Sequence, residues 1–124
     1  MTYEDIDLMI ADIADTLKCG YSFYTNDEAK VVKTPFLLFD YPNRDDLSAD
    51  DVNYVKKENV SIEFDSAFRD LDSETLIESK LTEYGIFYYK QAAYIQGENA
   101  YETIYQFQVI IQDSNPEEGD NQNG

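Results

Sequence analysis

The residues that could do chemistry in this chain are carboxylates and one thiol. Among its 124 residues are 26 acidic residues, one cysteine and no histidine. Histidine is the commonest general base and the commonest metal ligand, so its absence excludes Ser-His-Asp and Cys-His catalysis. A zinc-binding Cys/His spacing and a glycine-rich phosphate loop are also missing from the sequence. We therefore expect a protein that is not an enzyme, with no catalytic residue and no cofactor.

The densest group of carboxylates lies between Pro42 and Asp51, which we interpret as a loop. Four of its residues could offer oxygen ligands to calcium: Asp45, Asp46, Asp50 and Asp51. An EF-hand loop also needs a central glycine and a terminal glutamate at fixed positions, and this segment has neither. A solvated acidic loop is therefore favoured over a metal site. The one thiol, Cys19, lies at the C-terminus of a predicted helix, whose dipole would raise the thiol pKa and disfavour a reactive thiolate.

The charge balance limits the partners of the protein. A net charge of −17, from 26 acidic and 9 basic residues, repels nucleic-acid phosphates, and the basic residues are scattered. No run approaches the roughly 18 apolar residues of a membrane span. The acidic N-terminus lacks the basic and apolar regions of a signal peptide.

Two helices are predicted from apolar spacing and capping residues. The first covers Thr2 to Cys19, with a capping-box relation between Thr2 and Asp5, and we expect Gly20 to end it. Its apolar stripe is Ile6, Met9, Ile10, Ile13 and Leu17. The second helix begins after the N-cap Asp70 and ends at a left-handed Gly85. Its stripe is Ile77, Leu81 and Tyr84.

The remaining apolar segments predict strands. They are Tyr21–Thr25, Phe36–Tyr41, Val52–Ser66, Ile86–Ile95 and Tyr101–Ile111, with turns at Asn26–Glu28 and Gly97–Ala100. In the last strand one face carries Tyr101, Thr103, Tyr105, Phe107, Val109 and Ile111. The sequence thus predicts an α+β fold with an antiparallel (mixed) sheet of about four to five strands and two helices on one face. Residues 1–112 form one domain, and residues 113–124, without an apolar anchor, form a disordered acidic tail.

A series of short patterns follows the order found in one known family. The patterns are Pro35–Phe39, Leu47–Asp51, Val52–Lys57, Val60–Phe64, the helix start at Asp70, Ile86–Lys90, Tyr94–Ile95 and Tyr101–Phe107. From Pro35 to Ile110 the chain resembles the tail-terminator or tail-completion (minor tail, head-tail joining) proteins of long-tailed bacteriophages of Gram-positive hosts. It departs from them at Leu71, where family members usually have proline.

The resemblance implies a structural virion protein that forms a homo-oligomeric ring, usually a hexamer. The ring would end the tail tube at its head-proximal end, after assembly in the host cytoplasm. Its partners would be further copies of itself, the tail tube protein and a head-completion or connector protein, with DNA passing through without specific binding and no membrane involved. The alternatives are a head-closure or neck connector protein and, ranked lower, an acidic inhibitor that mimics nucleic acid; an enzyme of unfamiliar type ranks last.

Subunits of like charge must be held together by apolar contacts or by pairing of strand edges. The candidate contacts are the Tyr41–Asp51 loop and the partly apolar second face of the last hairpin, although that loop could equally be a plain solvated connection. The residues we single out are Tyr41, Asn43, Arg44, Asp45, Asp46, Leu47, Ile104 and Ile110.

Overall fold

The computed structural model describes residues 1–23, 34–49, 52–97 and 100–112. The elements in chain order are α1 (Tyr3–Leu17), β1 (Gly20–Phe23), β2 (Phe36–Arg44), β3 (Leu47–Ala49), β4 (Val52–Ser66), α2 (Leu71–Glu83), β5 (Tyr88–Ile95) and β6 (Ala100–Ile111). The predicted α+β class is confirmed, and the described residues form six strands rather than four to five. The predicted turn at Asn26–Glu28 and the predicted acidic tail lie outside the described residues.

The sheet is mixed, and its strand order is β1-β2-β4-β6-β5. β1 runs parallel to β2, whereas the β2·β4, β4·β6 and β5·β6 pairs are antiparallel. Among the residues that the structure describes, the short strand β3 pairs only with the first residues of β4, beyond the end of β6. This short pairing extends the sheet at one corner as a two-stranded arm.

Helix α1 begins with the predicted capping box. The Thr2 hydroxyl accepts a hydrogen bond from the Asp5 N–H at 3.0 Å, and the Asp5 carboxylate accepts one from the Thr2 N–H at 2.9 Å. The predicted stop at Gly20 is wrong, because Lys18 adopts the left-handed conformation with φ 58° and Gly20 already opens β1. Gly20 is needed for another reason: a Cβ there would lie 2.6 Å from the Phe36 ring.

Helix α2 has the predicted ends. The Asp70 carboxylate accepts from the Ser73 N–H at 3.1 Å, and Gly85 has φ 76°. Ile77 and Leu81 are fully buried, as their spacing predicts. Tyr84, the third residue of the predicted stripe, is instead exposed, and its hydroxyl donates to Asp12 on α1 at 2.7 Å. A tyrosine at a helix end can reach a polar partner, so apolar spacing alone misassigned it.

One hydrophobic core lies between the sheet and the two helices. Alternate residues of β6 are buried, as predicted: Thr103, Tyr105, Phe107 and Val109. The facing residues of β4 and β2 complete the sheet side of this core, namely Val60, Ile62, Phe64, Leu37 and Phe39. Within the described residues, both helices pack on this one face.

The predicted loop from Pro42 to Asp51 is mostly strand. Asn43 and Arg44 extend β2 opposite Asn59 and Glu58, after a register shift that accommodates Pro42. Residues Leu47–Ala49 form β3. The sequence did not reveal these strands because they lie outside the core, where pairing needs no alternation of apolar and polar residues. Asp50 and Asp51 lie outside the described residues.

Candidate interaction surfaces

An ionic network around the buried carboxylate of Glu74 attaches the β5–β6 hairpin to α2. Glu74 has 2% of its surface exposed, and its carboxylate lies 2.8 Å from both Arg69 Nε and Lys90 Nζ. Lys90 also lies 2.6 Å from Glu78 Oε2. The Thr103 hydroxyl donates to Glu74 at 3.3 Å. These contacts hold β5 in position, and they pair Lys90, the only charged residue of that strand, with two carboxylates of α2.

The network also sets the protonation of its members. Burial alone would raise the pKa of Glu74, but hydrogen bonds from Arg69 and Lys90 outweigh it, so the pKa lies below its ordinary value. The Tyr105 hydroxyl donates to Glu78 at 3.0 Å, and burial together with this acceptor raises the pKa of Tyr105. Glu74 is therefore ionised and Tyr105 is neutral at neutral pH.

The sheet face opposite the core has neither helix packed on it in the described residues. We call it the open face. A groove of about 640 Å³ crosses it from β2 to β5. Its lining includes Asn43, Gln106, Phe87 and Tyr89, and the last two are 79% and 70% exposed with their rings 5.8 Å apart. The groove is therefore neutral, lined by amides and aromatic rings.

A row of amides crosses this face in strand register, since Asn43 lies opposite Asn59 and Asn59 opposite Gln108. The Gln108 side-chain amide donates to Asn59 Oδ1 at 3.1 Å, and both amides donate to Asp45 Oδ2. Asp45, predicted as a contact residue, therefore holds two members of the row, Asn59 and Gln108, in place.

The arm consists of residues 47–49 and 52–55, and residues 45–46 join it to β2. Asp46 anchors it, since its carboxylate accepts from the Lys57 N–H at 3.1 Å and pairs with Arg44 at 2.8 Å. The predicted contact residue Leu47 is 55% exposed, and Val52 is 54% exposed. The arm thus presents Leu47 and Val52 on two paired strands, and one of these strands, β3, lies where the sequence suggested a loop.

Tyr41 occupies a different environment from the other predicted contacts. It lies half-buried in an aromatic group, with ring centroids 5.2 Å from Tyr3 and 5.3 Å from Phe23. Burial, with smaller contributions from Asp7 and other groups, raises the pKa of Tyr41 to about 12. Its side chain belongs to the packing between α1 and the sheet rather than to the arm.

Ile104 and Ile110 lie on the open face, as expected from their positions in β6. Ile110 is 55% exposed and Ile104 is partly buried. Beside Ile110, the Met1 nitrogen donates to its carbonyl at 3.0 Å, and the Gln112 N–H donates to the Met1 carbonyl at 2.8 Å. The structure therefore distributes the predicted contacts over the arm, the open face and the core side.

Three half-buried carboxylates meet on the open face, which the sequence analysis missed. Glu63, Asp65 and Glu102 have oxygens within 4.8 Å of one another. Each of them also takes part in another interaction. Carboxylates are good ligands for hard cations. Clusters of acidic side chains are nevertheless common on the surface of a protein with this much negative charge, so we assign no function to this cluster. Asp65 lies directly opposite Glu102, with Glu63 two residues before it on the same strand. This arrangement depends on the strand register, which the sequence does not reveal.

Cys19 is partly buried, and burial raises the pKa of its thiol. The direction agrees with the expectation of an unreactive thiol, although the cause is burial and not the helix dipole.

No protein-family model matches the chain, and no curated protein matches it. Within the described residues, neither helix combines the length and hydrophobicity needed to cross a bilayer. We therefore infer a function from the resemblance between Pro35 and Ile110 together with the surfaces described above.

Proposed function

We propose that this protein is a structural ring protein of a long-tailed bacteriophage, which ends the tail tube and joins the tail to the head. The proposal combines the resemblance between Pro35 and Ile110 with the layout of the fold. The ring would consist of copies of this chain, with the tail tube protein on one side and a head-completion or connector protein on the other.

The observation that carries the proposal is the asymmetry of the two layers. The helices pack on one face of the sheet, and the described residues leave the other face, the arm and the outer edge of β5 for contacts. A ring protein between two partners needs several separate contact surfaces on a small domain. Exposed apolar side chains on these surfaces, such as Leu47, Phe87 and Ile110, suit protein contacts.

The charge of the chain fits passage of DNA. Copies carrying −17 each would line a channel with negative charge, so phosphates would be repelled and DNA would slide rather than bind. We expect the purified protein to show no stable complex with duplex DNA at physiological salt. A stable complex would contradict the acidic channel.

The decisive experiment is disruption of the gene in the phage that encodes it. We expect full heads and unattached tails of abnormal length, seen by electron microscopy, with joining restored by the wild-type gene. A gold-labelled antibody should then mark the head-proximal end of the tail. Normal virions from the disrupted phage would overturn the proposal, and label on the head side of the junction would favour a head-closure protein instead.

A further inference from the structure

The outer edge of β5 is a long edge of the sheet without a strand beside it in the described residues. β5 is last in the strand order. Its eight residues pair with β6 without a register shift, from Tyr88 opposite Phe107 to Ile95 opposite Ala100. Six consecutive residues, Tyr89 to Tyr94, are exposed. The edge therefore offers a regular row of backbone N–H and C=O groups to another strand.

Natural sheets block such edges with charges, proline, bulges or short strands. β5 contains no proline and no bulge, and its only charged side chain is Lys90. The ammonium of Lys90 lies against Glu74 and Glu78 of α2 rather than at the edge. The edge thus lacks the usual features that prevent pairing, which favours a strand partner in the assembled state.

The charge distribution indicates what that partner is. The longest stretch without an acidic residue in the whole sequence runs from Tyr84 to Gly97 and contains β5. A second copy of a chain with charge −17 meets less repulsion along this stretch than along the acidic segments, because the nearby Glu74 and Glu78 are paired with Lys90. A basic partner would be drawn to the acidic surfaces and not to this neutral strip.

We propose that the outer edge of β5 pairs with a strand of a second copy of this chain, which joins the sheets of neighbouring subunits. The inference rests on the assembly role proposed above and specifies the surface that holds the subunits together. Exposed Tyr89 and Tyr94 would add apolar contact on both sides of the joined sheet. If β5 of each copy pairs with a different strand of the next copy, the contact can repeat until the subunits close into a ring. If β5 pairs with β5 of the second copy, assembly stops at a dimer.

The test is the mass of the full chain by light scattering, compared between two variants. Gln91→Lys places a charge on the edge, and Ser79→Lys makes the same charge change on the exposed surface of α2. Both reduce the negative charge, so weaker association cannot come from greater repulsion. We expect Gln91→Lys to raise the dissociation constant by about tenfold or more while Ser79→Lys does not. Circular dichroism should show both variants folded.

Hydrogen exchange of the wild-type chain tests the same inference without a substitution. Amides of β5 should gain protection between ~1 µM and ~1 mM protein, because association is concentration-dependent. Equal association of the two variants, or unchanged exchange of β5 in an assembled wild type, would overturn edge pairing and leave the ring function intact. A wild-type chain that stays monomeric at ~1 mM would also overturn it. A dimer lost in Gln91→Lys would support edge pairing and contradict the ring.

Discussion

Lys90 Nζ on β5 lies 2.8 Å from Glu74 Oε1 on α2, and the glutamate is almost fully buried. Arg69 approaches the same carboxylate from the segment before the helix. A buried charge with two cationic partners is tolerated, whereas the same charge with its partners removed would be costly. The pair therefore fixes the hairpin to the helix and sets which way the side chain of Lys90 turns.

Neutralising Glu74 should destabilise the fold at neutral pH. Glu74→Gln keeps the shape but loses charge-assisted hydrogen bonds, so we expect a loss of about 1–3 kcal/mol in the free energy of unfolding at pH 7. The pKa of Glu74 is lowered in the folded state, so its contribution is present above the ordinary value of 4.5 and is lost as pH falls through the folded pKa. Urea denaturation at several pH values measures this difference.

The matched control is Glu83→Gln, since Glu83 is 67% exposed and lies 3.3 Å from Lys80. Exposed helix pairs contribute only about 0.3–0.5 kcal/mol. An equal effect of the two substitutions, or a Glu74→Gln difference that persists unchanged at pH 3, would contradict the assigned role of the buried carboxylate.

Phe107 tests the orientation of β6. It is 5% exposed in the core, so Phe107→Ala should cost about 3–5 kcal/mol, enough to threaten a small domain. Phe87→Ala removes the same ring from a side chain that is 79% exposed, and it should change stability by less than about 0.5 kcal/mol. Thermal and urea unfolding compare the two. A cost under ~1 kcal/mol for Phe107→Ala would mean that the face is assigned wrongly.

The helices and the long strands could be predicted because their signals are local. Thr2 and Asp70 satisfy free N–H groups within three residues, and alternation in β6 reflects one buried face and one open face. The local rules failed at Lys18, which adopts the left-handed conformation expected of Gly20, and at Tyr84, which is exposed rather than buried. The chain needed Gly20 for contact with Phe36, and the Tyr84 hydroxyl found Asp12 on the other helix.

The candidate surfaces were predictable only in part. Leu47 and Ile110 are exposed where an apolar residue on a surface was expected. The Asn43–Asn59–Gln108 row and the Glu63–Asp65–Glu102 group depend on strand register between distant segments, which no local pattern specifies. For β5 a signal did exist: an aromatic strand without acid or proline in a chain of charge −17.

Removal of residues 113–124 should leave the domain intact. Their sequence is polar and acidic and offers no apolar burial to offset the entropy of ordering. The truncated chain should keep Gln112 as its last residue, because the Gln112 N–H donates a hydrogen bond to the Met1 carbonyl. We expect a nearly unchanged melting temperature in differential scanning calorimetry. A decrease of several degrees would show that the segment packs on the domain.

The arm is the surface whose role in joining heads to tails can be tested most cleanly. Deleting residues 45–50 would remove the Asp45 and Asp46 contacts with β4 and the whole of β3. A loss of function in that variant could then come from a folding defect. Leu47→Lys avoids this, because Leu47 is 55% exposed and the substitution should cost less than about 0.5 kcal/mol. We expect the folded variant to fail to restore infectivity to a gene-disrupted phage.

Leu8→Lys on α1 is the control for the arm, because Leu8 is 59% exposed and the charge change is identical. Leucine and lysine have similar helix propensities, so α1 should tolerate the change. Plaque counts and the fraction of heads attached to tails measure both variants in parallel. If Leu47→Lys restores joining as well as Leu8→Lys does, the arm takes no part in the contact, and the open face and the β5 edge remain as the joining surfaces.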